Sequence, residues 1–269
     1  MQAVQLGIFD AFHNVCKDKG LCYYMVGGTL LGAVRHKGFI PWDADIDIAM
    51  PRKDYDLFIA KYHSCLPPKY MLITHESYKY FSKPHAVIIQ SGTSLKYHTD
   101  SSYNHQECPG IYIELFPLDN VPTDHRKRLK QERKVKQIRK LIFRKVSRIY
   151  TTSLIEILIK KSIRLLLEPL SLKKLGRALQ NAMRKYDTME DYSGVLCSMA
   201  GKHGYEKESL PVEMYGSPVL LEFEGKQYYA PTEYFKFLEH YYGDYMKLPS
   251  IEEQEKMYNY FSEIEVSGG

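Results

Sequence analysis

Asp43, Asp45 and Asp47 stand two apart in Trp42-Asp43-Ala44-Asp45-Ile46-Asp47-Ile48. Alternate residues of an extended strand share a face, so the three acids line one side while Ala44, Ile46 and Ile48 line the other. Carboxylates brought this close repel one another unless a hard divalent cation, Mg2+ or Mn2+, takes their oxygens as ligands. Upstream, an apolar run ends in Gly27-Gly28-Thr29, and a short helical segment follows. Glycines there let a phosphate approach the backbone, and amides at the helix start would meet its oxygens. Arg35 and Lys37 lie a little further on as candidate phosphate partners. Together these residue types describe a site for metal-assisted phosphoryl-type transfer.

The elements that must position these groups are readable in outline. Apolar residues Val4, Leu6, Ile8, Phe9, Phe12 and Val15 recur at a helical period over 2–19, and Gly20 supplies the stop. Leu21 to Val26 reads as a strand that feeds Gly27-Gly28. A further helix opens at Pro51 or Arg52 and runs to about His63, before Pro67-Pro68. Strands are expected at Tyr70–Thr74 and His85–Gln90, a polar loop holding His98 and His105 over 91–109, and another strand over 110–119. That last strand carries Glu114 inside an apolar run, while Asp119 reads as a cap for the turn after it. This order gives an α+β fold with a mixed sheet.

The full string from Gly27 to Phe58, GGTLLGAVRHKGFIPWDADIDIAMPRKDYDLF, resembles the LicD family, the phosphocholine-transferase group related to the fukutin proteins. The resemblance covers roughly residues 20 to 120 and returns at Phe223-Glu224-Gly225 and at Tyr242-Gly243-Asp244-Tyr245-Met246-Lys247-Leu248-Pro249. It implies a nucleotidyltransferase-like core. It also implies transfer of phosphocholine, or another phospho-alcohol, from a CDP-activated donor such as CDP-choline to a hydroxyl of a cell-surface glycan or its lipid-linked precursor. On that resemblance Asp45 and Asp47 hold the metal, with Asp43 assisting. Glu114 stands where the family pattern has Asp, as a third ligand or as the base for the acceptor proton. Lys83 falls where relatives place a lysine near the donor phosphates. Gly27, Gly28 and Thr29 cradle phosphate oxygens. The family usually has Asp where this chain has Ala44; strand parity turns that position away from Asp45 and Asp47.

The 269 residues are long enough to bury a large core, and a net charge of +5 is modest. The charge is concentrated over 123–148, where Lys and Arg recur between apolar residues at helical spacing. The stretch 154–167 that follows is apolar but interrupted by Lys160, Lys161 and Arg164, too charged to span a bilayer and suited to lie on one. An equally open reading packs this stripe on the core and solvates its basic face. A further helix is expected over 172–189, a hairpin around Glu224-Gly225, and a helix over 231–242. The expected divisions are a catalytic core at 1–122, a basic helical subdomain at 123–190 and a C-terminal unit at 191–269 that completes the site. Five scattered cysteines without zinc spacing read as reduced thiols. No signal pattern or apolar span stands out, so a cytoplasmic location at the inner membrane face is expected. No nucleic acid is expected as a partner. Nucleotidyl or sugar-phosphate transfer on the same fold, or a non-catalytic membrane-surface scaffold, are the alternatives.

Overall fold

The computed structural model describes residues 1–43, 45–97, 109–147, 153–187, 192–258 and 261–266. Ala44, His98, His105 and Cys108 therefore lie outside the described residues. Helix α1 (Gln2–Lys19) ends on Gly20 in the left-handed conformation, φ 64°, as the sequence predicts. Its Phe9 and Phe12 pack edge-on against Tyr23, and Phe12 also against Phe58. Strand β1 is only Tyr24–Met25, shorter than the predicted 21–26. Helix α2 (Gly27–Arg35) begins directly on the two glycines.

Strand β2 (Asp47–Pro51) starts later than the acidic row suggests. Asp43 and Asp45 precede it, because Pro41 and Trp42 sit in a turn that Asp43 N closes on Ile40 O at 2.9 Å. Helix α3 (Arg52–Ala60) follows at once, then β3 (Tyr70–Ile73), β4 (Ala86–Gln90) and β5 (Thr93–Tyr97). The expected loop at 91–109 thus contains a strand. Its partner is β11 (Phe261–Val266), so distant in sequence that no local pattern announces the pair.

The longest strand, β6 (Tyr112–Asn120), is the axis of a seven-stranded sheet in the order β1-β2-β6-β4-β3. It runs parallel to β2, with Asp47 opposite Glu114, and antiparallel to β4. Its end, Asp119 and Asn120, pairs with β7 (Val195–Cys197), which pairs with β8 (Ser209–Pro211). The sheet is therefore mixed, and the class is α+β. Ile46, Ile48, Ile113 and Leu115 join α1 in the main core.

Helix α4 (His125–Val146) is capped by Asp124, whose carboxylate accepts from Arg126 N and Lys127 N. Its buried Val135, Ile138 and Ile142 pack with Leu172, Leu175, Leu179 and Met183 of α6 (Leu172–Met183) in a separate core. Buried Gln131 donates to Ala182 O and Met183 O, satisfying carbonyls at the end of α6. That helix stops short of the predicted 189, passing into a tight turn at Arg184–Tyr186. Between them lies α5 (Leu154–Leu166). The chain closes through α7 (Val212–Tyr215), the hairpin β9 (Val219–Phe223) and β10 (Lys226–Ala230), α8 (Tyr234–Tyr242) and α9 (Ile251–Tyr258). Among the described residues no helix is long and apolar enough to cross a membrane.

Candidate active site

The junction of β1, α2 and β2 is fixed by backbone bonds. Val26 N donates to Asp47 O at 3.1 Å, and Asp47 N donates to Thr29 Oγ1 at 2.8 Å. Thr29 is buried, so its hydroxyl positions the acidic strand rather than facing a ligand. Gly27 has φ 56°, and a Cβ there would come within 2.6 Å of Asp47 Oδ2. A Cβ on Gly28 would overlap Asp43 Oδ2. Both glycines are thus required because carboxylates lie directly against the backbone that starts α2.

The parallel register then sets Asp47 beside Glu114, acid next to acid. Glu114 lies on the central strand with 13% of its side chain exposed, so it is not a solvated edge residue. Lys83 Nζ sits 2.6 Å from Glu114 Oε1 and 3.3 Å from Tyr112 Oη, above the Tyr112 ring. His85 Nε2 is 3.3 Å from the same Glu114 oxygen, too oblique for a hydrogen bond, and its ring tilts against Phe116 at 4.1 Å.

Electrostatics divide the cluster. Burial raises Asp47 well above the usual carboxylate range, and Glu114, Asp45 and Asp43 push it further. Asp45 is pushed up to about 7 by burial, Glu114 and Asp43, against the pull of Lys83 and Lys202. Burial alone would raise Glu114 too, but Lys83 and His85 override it and hold its carboxyl below the usual range. Burial likewise lowers His85, despite the neighbouring Glu114. As placed, no three His, Cys, Asp or Glu side chains among the described residues converge closely enough to cage a cation. The donor set fits one by its charge: buried carboxylates held toward their protonated forms by like charge are relieved by a hard dication.

These groups line one open cavity of about 1380 Å³. Gly27, Gly28, Arg35, Asp43, Asp45, Asp47, Lys83 and Glu114 all reach it. Arg35 donates from Nη1 to Tyr245 O at 3.0 Å and lies 5.9 Å from the Trp42 ring centre. Lys37 does not line the cavity. It adopts φ 60°, and its carbonyl accepts from Glu224 N at the tip of the β9–β10 hairpin. Asp119 caps no turn: it is fully buried and accepts two hydrogen bonds from Arg52, at 2.6 and 2.8 Å.

Sequence reasoning missed His85, Tyr112, Arg139, Lys202 and His203, which share the cavity wall. Tyr112 and His85 were visible in hindsight as neighbours of Glu114 by strand parity and register. Lys202 and His203 follow β7 and have no local signature. Tyr242, Asp244, Tyr245 and Lys247 of the tail also reach the cavity. Burial, Asp47 and Asp43 raise the Tyr242 hydroxyl, which places it within the field of the acids.

Comparison with known proteins identifies the family. The family described as LicD/FKTN/FKRP, nucleotidyltransferase domain, matches residues 20–149. Over 259 residues the chain is 33% identical to the lipopolysaccharide cholinephosphotransferase LicD of Haemophilus influenzae, covering 94% of this chain and 93% of that one. A stretch of 41 residues is 44% identical to the human ribitol 5-phosphate transferase FKRP, covering 15% of this chain and 8% of that protein. A 42-residue stretch is 45% identical to an uncharacterized Rickettsia prowazekii protein, 16% of each chain. The chain belongs to the LicD family and is a phosphotransferase of the LicD type.

Proposed function

We propose that this enzyme transfers phosphocholine from CDP-choline to a hydroxyl of a cell-surface glycan or its lipid-linked precursor. The acceptor oxygen forms a new bond to the choline-bearing phosphorus as that phosphorus loses its bond to the bridging oxygen. CMP leaves with the bridging oxygen, and the acceptor proton passes to a base. The observation that carries the reading is the acid pair Asp47–Glu114, in register at the wall of a cavity whose neighbouring wall is the Gly27-Gly28 backbone. Similarity to a lipopolysaccharide cholinephosphotransferase along nearly the whole chain supports the choice of alcohol and acceptor class.

Asp45 and Asp47, with Asp43 and Glu114 beside them, are the residues that would hold Mg2+ or Mn2+. The ion supplies Lewis-acid neutralisation of diphosphate charge. The chain's own groups do the rest. Amides at the start of α2 meet phosphate oxygens, where the helix dipole favours negative charge. Lys83, ion-paired with Glu114, supplies a positive charge at the donor's edge, and Arg35 supplies another across the cavity. Thr29 keeps Asp47 in register.

The test is 31P NMR of the purified protein with CDP-choline, Mg2+ and a lipid-linked glycan fraction, repeated with EDTA and with CDP-glycerol, CDP-ribitol and a UDP-sugar. CMP and a new phosphodiester, appearing with CDP-choline and lost with EDTA, are expected. Pyrophosphate release from a nucleoside triphosphate would replace this reading by nucleotidyl transfer, and turnover of the UDP-sugar alone by sugar-phosphate transfer.

A further inference from the structure

Helix α5 is built against the usual rule for a globular surface. Leu154, Ile155, Leu158, Ile159, Leu165 and Leu166 are each between 53% and 79% exposed. At 100° per residue they fall on a single arc of about 140°, with Ser162 the only polar side chain inside it. The opposite side of the helix carries the partly buried residues Ile157, Ile163 and Arg164, through which it meets the body of the protein. Arg164 donates to Ser147 O, and Lys145 of α4 donates to Leu167 O at 2.8 Å, so one cation from each helix ties α5 to the end of α4.

The stripe of α4 is different. Its Val135, Ile138 and Ile142 are consumed by α6, which answers for α4 the question left open by the sequence. Besides Leu129 and Phe143, what α4 shows to solvent is mostly charge: Arg126, Lys127, Lys130, Arg133, Lys134, Lys136, Lys140 and Arg144 are exposed. On α5, Lys161 borders the apolar arc and Lys160 follows it around the helix. A wide apolar arc with cations at its margin, on a helix beside a strongly basic one, matches an anionic phospholipid surface in both polarity and sign. Glu156 pairs with Lys160 and Glu132 with Lys136, and cations still outnumber acids along both helices.

We propose that the apolar arc of α5 inserts into the headgroup region of an anionic bilayer, with α4 and the lysines of α5 held over it by charge. The last turns of α4, at Lys140, Ile142, Phe143 and Val146, also line the cavity that holds the acids. Docking by α5 therefore sets one wall of that cavity at the membrane, where an acceptor carried on a lipid would present its glycan.

The claim is read without turnover. The full chain is sedimented with phosphatidylcholine vesicles, with and without about one third phosphatidylglycerol, at low and high salt, and its size is measured in solution. Binding to the anionic vesicles, weakened by salt and reduced about tenfold or more in Ile155→Glu/Leu158→Glu, is expected. Both substituted residues are exposed, and an unchanged melting temperature shows that the variant remains folded. Absence of binding to anionic vesicles, or binding that the double variant retains, overturns the proposal. So does a chain that ignores vesicles and dimerises through this arc, shown by a dimer that the double variant dissociates.

Discussion

At one end of the β2–β6 pair Asp47 stands beside Glu114; just past the other end Arg52 meets Asp119. Glu114 and Asp119 lie five positions apart on β6 and so face opposite sides of the sheet, and Arg52 reaches Asp119 from the first turn of α3. The Arg52–Asp119 pair is finished chemistry. Two short hydrogen bonds join fork to carboxylate, Gln180 Oε1 takes a third at 3.0 Å, and neither side chain meets water. Arg52 is held above its usual range by Asp119, although burial opposes it. At the Asp47–Glu114 end Lys83 overcomes burial at Glu114, but the pull of Lys83 and Lys202 leaves Asp45 raised and that of Lys202 leaves Asp47 raised. One buried charge pair is fully satisfied and the other is left strained, which marks the second as the candidate ligand site.

Neutralising the strained end should remove activity and spare the fold. Asp47→Asn is expected to lower kcat/KM by about 10³- to 10⁴-fold, through the loss of one of the carboxylates that would hold the divalent cation. Its melting temperature should stay level or rise, because repulsion within the cluster is relieved; turnover assays beside thermal unfolding check both. The finished end should behave in reverse. Arg52→Met strands the Asp119 carboxylate in the core and should cost about 3–5 kcal/mol of stability. Arg52→Met/Asp119→Leu should recover most of it, in denaturant titrations. An Asp47→Asn protein that unfolds easily, or an Arg52→Met protein that does not, would break the contrast.

Two smaller effects sharpen it. His75 lies against Gly176 of α6, with no room for a Cβ between them, on the same helix that receives Arg52 through Gln180. Burial, followed by His85, lowers it to about 4. The folded chain thus refuses a proton that the unfolded chain accepts near pH 6.5. Stability should fall as pH drops through the window from about 6.5 to 4, by up to about 3 kcal/mol. His75→Gln should flatten that slope in unfolding curves taken across the window. Thr29→Val removes the acceptor of the Asp47 amide and should cost about 1–3 kcal/mol, read from the unfolding midpoint.

The contrast also marks how far the sequence could be read. The Gly-Gly start of α2 and the acidic row were legible because their chemistry is local: glycine freedom and alternating side chains act within a few residues. The strand is shorter than the acidic row suggests, since the Pro41–Trp42 turn delays β2 until Asp47, yet all three acids reach one cavity. The turn-cap reading of Asp119 fails because nothing near it in sequence shows Arg52, which the start of α3 brings in from 67 positions away. The Lys83–Glu114 contact and the approach of Lys202 depend on tertiary packing in the same way. Helical periodicity found α4 and α5 but could not say which stripe is covered, because that is decided by α6.

The most direct test of the central claim is Mn2+ binding, followed by electron paramagnetic resonance, to the wild-type chain and to Asp47→Asn, with and without CDP-choline. The account predicts that the wild-type chain takes up Mn2+, more tightly with the nucleotide present, and that the variant, still folded, loses that uptake. Equal Mn2+ uptake by both proteins, or none by either with the nucleotide bound, would contradict it.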